Sequence, residues 1–146
     1  MRHLLKYWIP VIAWTLLIFL ASGDLMSSEH TSRFIGPFLH WIDPNISEAT
    51  VASIQLLVRK CAHLAEYAIL ATLLFRAFRE GRNLFARAAA FAFVAAALYA
   101  ALDEFHQSFI PSRTGTARDV MIDCIGAAIG LALSLAFRRK RSPSAA

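Results

Sequence analysis

Four apolar stretches, each close to the length of a bilayer-crossing helix, limit what this chain can fold into. They run over residues 7–22, 56–78, 84–104 and 118–138. A helix needs roughly 20 apolar residues to cross a hydrocarbon core of about 30 Å. In lipid the backbone must satisfy its own hydrogen bonds, so segments of this length fold as helices. The composition agrees. Of 146 residues, 58% are hydrophobic and 17% charged, against roughly 45–50% and about 25% in soluble domains. A soluble domain this small would expose apolar patches that soluble monomers rarely carry. The expected fold is all-α and integral to the membrane: four transmembrane helices packed as a small bundle, forming one domain over residues 1–146. A disordered chain, a disulfide-stapled secreted domain and a collagen-like fibre are excluded. The two cysteines, Cys61 and Cys124, build no framework and read as small buried hydrophobes.

The first stretch has a second reading. Arg2 and Lys6, an apolar run, then Ala21-Ser22-Gly23 also resemble a cleavable signal peptide. Trp8, Pro10 and Trp14 make an unusual signal core, and the run is long enough to span, so a retained helix is expected. Residues 23–55 form the one long connection. Its Ser32–Ile42 portion mixes aromatic and aliphatic residues with few charges, which suits an extracytoplasmic segment lying at the membrane interface. Ser47-Glu48 reads as a helix start, with serine as N-cap and an acid in the first turn. The second helix is therefore expected to begin outside the membrane.

Basic residues set the orientation. With the N-terminus in the cytoplasm, Arg2, Lys6, Arg76, Arg79, Arg82, Arg87, Arg138, Arg139, Lys140 and Arg141 lie inside, ten of fifteen. Arg33, Arg59, Lys60, Arg113 and Arg118 lie outside. The expectation is N-in and C-in. The net charge of +5 then records topology and contact with anionic lipid rather than nucleic-acid binding. The Arg138–Arg141 run reads as a basic stop before a frayed tail.

Polar residues interrupt three of these stretches. The second carries Arg59-Lys60-Cys61-Ala62-His63-Leu64-Ala65-Glu66-Tyr67. At 100° per residue, Arg59, His63, Glu66 and Tyr67 share a face, with Lys60 at its edge. Such a set facing lipid would cost about 10 kcal/mol on insertion scales, so it must pair, line a wet cavity or lie near a helix end. The third stretch ends with Tyr99, Asp103 and Gln107 at i, i+4 and i+8, with Glu104 and His106 adjacent. The fourth begins with Arg118, Asp119 and Asp123, on a stripe continued by Gly126 and Gly130. A G-x-x-x-G lets a neighbouring backbone approach closely. In the N-in topology all three sets fall at the outer side. An ionisable residue inside a span is a functional-site hypothesis by default.

These residues resemble the VanZ-like family of small membrane proteins, named after a protein associated with teicoplanin resistance. Three blocks carry the resemblance. They are Arg59-Lys60-x-x-His63-x-x-Glu66-Tyr67; Asp103-Glu104-x-His106-Gln107 with Pro111 and Arg113; and Asp119 with Gly126 and Gly130. Together they span residues 56–131. Asp123 departs from a frequent asparagine, which adds a titratable group and puts an amide-specific role in doubt. The resemblance implies a multi-pass protein of the bacterial cytoplasmic (inner) membrane whose polar motifs act near the outer leaflet, linked to glycopeptide response.

The residues leave three readings open. An enzyme would use Arg59, Lys60, Arg113 and Arg118 to hold phosphate oxygens. It would use His63, Glu66, Asp103, Glu104, Gln107 or Asp119 for catalysis, with Tyr67, His106 and Asp123 lining the substrate. A binding protein would hold, shield or move an anionic lipid headgroup with the same set. A structural network would pair Arg59 with Asp103 or Asp119, and Lys60 with Glu66 or Glu104. The partners expected are membrane lipids or a lipid-linked wall precursor. The oligomeric state is left open. No cofactor is expected. A metal site is a further possibility, since His63, Glu66, Glu104, His106, Asp119 and Asp123 include suitable ligand types; no H-E-x-x-H spacing occurs and the nearby Arg and Lys disfavour a cation, so no resident metal is expected.

Overall fold

A computed structural model describes residues 2–23, 28–79, 85–110 and 116–139. It is all-helical. Helix α1 covers Arg2–Ser22, α2 Ser28–Ile42, α3 Glu48–Phe78, α4 Phe85–Gln107 and α5 Ala117–Arg139. Helices α1, α3, α4 and α5 are each long and apolar enough to cross a membrane. Their outward surfaces carry large apolar side chains such as Leu20, Leu98, Phe105, Met121, Leu133 and Phe137, all exposed in the isolated chain. Lipid solvates such a surface, whereas water would drive it to aggregate.

The helices alternate in direction. Lys60 meets Asp119, His63 meets Asp123, and Thr72 meets Ser134. Contact positions rise together on α3 and α5, so these two helices run parallel. Thr15 meets Tyr99 and Ser22 meets Asp103, so α1 and α4 are parallel as well. Trp8 packs on Phe78 while Trp14 bonds Glu66, which makes α1 antiparallel to α3. One end of the bundle therefore gathers the C-terminal ends of α1 and α4 with the N-terminal portions of α3 and α5.

Small residues set the packing. On α4, Ala88, Ala92, Ala96 and Ala100 form a buried i, i+4 stripe that lets neighbouring helices approach without a gap. On α5, Gly126 and Gly130 lie against α3. A Cβ on Gly126 would strike the Leu64 backbone, with its Cα and carbonyl carbon only 3.0 Å away. A Cβ on Gly130 would strike Ala68, with its carbonyl carbon at 2.8 Å. One turn further on, the Ser134 hydroxyl donates to the Gly130 carbonyl, and Thr72 to the Ala68 carbonyl. The α3–α5 contact is the most extensive among the described helices. Leu70, Ala71, Phe75 and Ile18 complete the apolar core.

Two local features, α2 and the exposure of Cys61, differ from the sequence-based expectation, while the start of α3 at Ser47-Glu48 agrees with it. The 23–55 connection contains a 15-residue helix, α2. Phe34, Phe38, Trp41 and Ile42 lie on one exposed stripe of it at helical spacing, and Gly36-Pro37 does not break it. Helix α3 is longer than its apolar part. Ser47 caps it by accepting from Thr50 N–H at 3.2 Å, and Glu48 opens its first turn. Finally, Cys61 is exposed rather than buried, Cys124 is half-buried, and both thiols are free.

Candidate functional site

The polar residues are brought together where α3, α4 and α5 meet at one end of the bundle. On α3 the stripe facing α5 runs Lys60, Leu64, Ala68, Thr72. Lys60 Nζ donates to Asp119 Oδ1 at 3.2 Å. One turn deeper, His63 Nδ1 lies 3.2 Å from Asp123 Oδ1. Asp123 is fully buried. It can be so because Gly126 and Gly130 pull α5 against α3.

Helix α4 supplies three buried polar side chains in one turn: Asp103, Glu104 and Gln107. Gln107 Nε2 donates to Asp103 Oδ2 at 3.0 Å, and Ser22 Oγ of α1 donates to the same oxygen at 2.8 Å. Glu104 Oε2 accepts from the Thr116 backbone N–H at 2.9 Å. Thr116 in turn caps α5. Its hydroxyl accepts from Asp119 N–H at 3.3 Å and donates to Asp119 Oδ2 at 3.0 Å. Glu104 thus fixes the start of α5, and Asp119 is held between the cap and Lys60.

The network leaves buried polar atoms over. Tyr67 Oη, Asp103 Oδ1, His106 Nδ1 and Asp123 Oδ2 are buried with no hydrogen-bond partner among the described residues. Unpaired buried groups of this kind cost about 1–3 kcal/mol each, and native proteins carry few of them. Tyr67 is fully buried, and its ring centroid is 6.4 Å from that of Tyr99. The Tyr99 hydroxyl turns away to donate to the Thr15 carbonyl at 2.6 Å. The His106 ring packs on Phe19 with centroids 4.7 Å apart.

Not every residue singled out by sequence joins this network. The structural reading paired Arg59 with Asp103 or Asp119 and Lys60 with Glu66 or Glu104. Instead Lys60 takes Asp119, and no ion pair joins Arg59 to a described residue. The cause is register. Lys60 lies on the 60–64–68–72 stripe against α5, and Arg59, one residue earlier, is rotated 100° off it. The Glu66 backbone carbonyl accepts from Trp14 Nε1 at 2.9 Å. Arg118 is exposed at the start of α5. Arg113 and Pro111 lie outside the described residues. Helix α2 packs against α3 alone among the described helices. Their cleft, of about 320 Å³, is lined by Gly36, Pro37, His40, Glu48 and neighbours, and by none of the residues singled out above. There His40 Nε2 contacts Glu48 Oε1 at 3.1 Å.

Two contributors were absent from the sequence reading. Thr116-x-x-Asp119 is a helix-start signature and marks the cap directly. Ser22 carries no local signal, since nothing near it in sequence indicates an acid from α4.

No curated protein and no solved structure matches the chain. The family model described as VanZ/LLP1 matches residues 7–138, nearly the whole chain, and the protein belongs to that family.

Proposed function

We infer that this VanZ-family membrane protein acts on a phosphate-containing lipid or lipid-linked wall precursor in the outer leaflet of a bacterial cytoplasmic membrane. Glycopeptide response, associated with the family, is the setting this reading fits. One observation carries it: Asp103, Glu104 and Asp123 are buried together in helices otherwise built to meet lipid. An ionisable residue costs up to roughly 2.5–3.5 kcal/mol at mid-span and less toward a helix end on insertion scales, an expense that packing alone does not require. Arg59 and Arg118 stand on the same helices as the cluster and supply cationic groups for phosphate oxygens. His63 and the buried acids are groups able to move a proton. The N-in, C-in orientation, which faces the cluster outward, rests on the distribution of Lys and Arg.

Envelope lipids from cells making the wild-type chain are compared by mass spectrometry with those from cells making Glu104→Ala at matched membrane levels. A lipid mass that appears with wild type alone identifies an enzyme and its substrate. An unchanged lipidome with a headgroup copurifying only with wild type identifies a binding, shielding or translocating protein. An unchanged lipidome with no headgroup copurifying with the wild-type chain would overturn the lipid reading.

A structural reading has its own support. Ser22–Asp103, Glu104–Thr116, Lys60–Asp119 and His63–Asp123 each tie two elements together. It requires that charge-swapped pairs restore whatever the single changes abolish.

A further inference from the structure

We propose that His63, Glu104 and Asp123 hold a divalent first-row metal ion inside the bundle. Among the described residues this is the one group of His, Cys, Asp and Glu side chains placed to do so. Each offers one ligand atom, and these atoms lie within 4.8 Å of one another. They come from α3, α4 and α5, so no local spacing in the sequence announces them.

Three independent observations point to a cation. First, the geometry fits. His63 Nδ1 and Asp123 Oδ1 are 3.2 Å apart. Two ligands bound at about 2.0–2.1 Å, the usual length for imidazole and carboxylate, stand about that far from each other. Second, a ligand atom is waiting. Asp123 is fully buried, yet its Oδ2 has no partner among the described residues. Third, the charge does not balance among the described residues. Among the described residues, the basic groups within ion-pair distance of Asp103, Glu104, Asp119 and Asp123 are Lys60 and His63. Lys60 is held by Asp119. Among the described residues that leaves three buried carboxylates facing one imidazole, and buried carboxylates persist when they are paired or coordinate metal. Lys60, which the sequence set against a cation here, points to Asp119 at the rim.

The donor set, one imidazole nitrogen and two carboxylates, suits Mn²⁺ or Zn²⁺. Three protein ligands leave coordination positions free, as catalytic metal sites do. That a phosphoryl oxygen fills one of them rests on the function proposed above; the ion itself does not.

The test uses the untagged full-length chain, purified in detergent, stripped with chelator and titrated with Mn²⁺ alone. Binding is read as loss of the free-ion electron paramagnetic resonance signal. The expected result is one equivalent per chain, with spin-echo modulation from a single imidazole nitrogen. Glu104→Gln and His63→Gln should each weaken binding at least tenfold, while His40→Ala, at the separate His40–Glu48 contact, should leave it unchanged. Absence of stoichiometric binding, or of imidazole modulation in the wild-type chain, overturns the proposal whether or not the variants fold. So does equal affinity in Glu104→Gln. No lipid is present, so failure here leaves the lipidomic result standing, and the reverse holds too.

Discussion

Asp123 of α5 is fully buried and meets His63 of α3 at 3.2 Å, which makes this contact a buried ionisable tie between the two parallel helices. Removing one partner of such a pair leaves the other buried and uncompensated, at about 3–5 kcal/mol. Asp123→Ala should therefore lower the unfolding temperature in detergent markedly. Asp123→Asn keeps an oxygen for His63 and should fall well short of that loss. Equal melting of the two variants would mean that the carboxylate charge, not the side chain's shape or its oxygen, is what His63 requires here.

Gly130 carries a different load. Its missing side chain is what allows the Ala68 backbone to lie against it. The obstruction is backbone rather than a flexible side-chain end, so α3 cannot yield locally. Gly130→Ala should cost about 1–3 kcal/mol, as overpacking does, and Gly130→Leu should abolish cooperative unfolding. A Gly130→Leu protein that melts like wild type would show that the two helices do not meet this closely.

The spans were legible in the sequence because apolar length alone determines them; α4 and α5 fall within three residues of the expected ends. The close α3–α5 approach was legible too, from Gly126 and Gly130. What sequence could not give was facing. Whether Arg59 or Lys60 meets Asp119 depends on which stripe of α3 abuts α5, and that is decided by packing farther down, at Ala68 and Thr72. Helix α2 was hidden by Gly36-Pro37, two residues that usually break a helix. Ser22 was invisible because its partner, Asp103, is 81 residues away.

Lys60 and Asp119 separate function from stability. Both are partly exposed, 38% and 21%, and ion pairs of this kind contribute about 0–1 kcal/mol. Lys60→Met should leave the melting temperature within a few degrees of wild type. If the cluster engages a phosphate group, the same variant should lose the wild-type lipid signature. A Lys60→Asp/Asp119→Lys double change that recovers that signature after each single change removes it would favour the structural role instead.

Helix α1 binds the rest of the bundle through Trp14, Thr15 and Ser22. Cleavage after Ser22 or Gly23 would remove all three and strip Asp103 of one of its two donors. Mass spectrometry of the protein extracted from membranes should therefore show α1 retained. A mass short by residues 1–23 would make the first stretch a signal peptide. Ser22→Ala removes the donor alone. The Gln107 amide still serves Asp103 Oδ2, so the loss should be near 1 kcal/mol, the net worth of a typical hydrogen bond.

The orientation is testable without purification. Four spans place both termini on one side, and ten of fifteen basic residues favour the cytoplasm for that side. A fluorescent protein fused after Ala146 should fluoresce, and alkaline phosphatase fused there should be inactive. Cys61, exposed on α3 just beyond Lys60, should react with a membrane-impermeant maleimide from outside if the polar end faces outward and stands clear of the hydrocarbon. Labelling of Cys61 only in inverted vesicles would reverse the orientation and place the acidic cluster, with any lipid it serves, at the cytoplasmic leaflet.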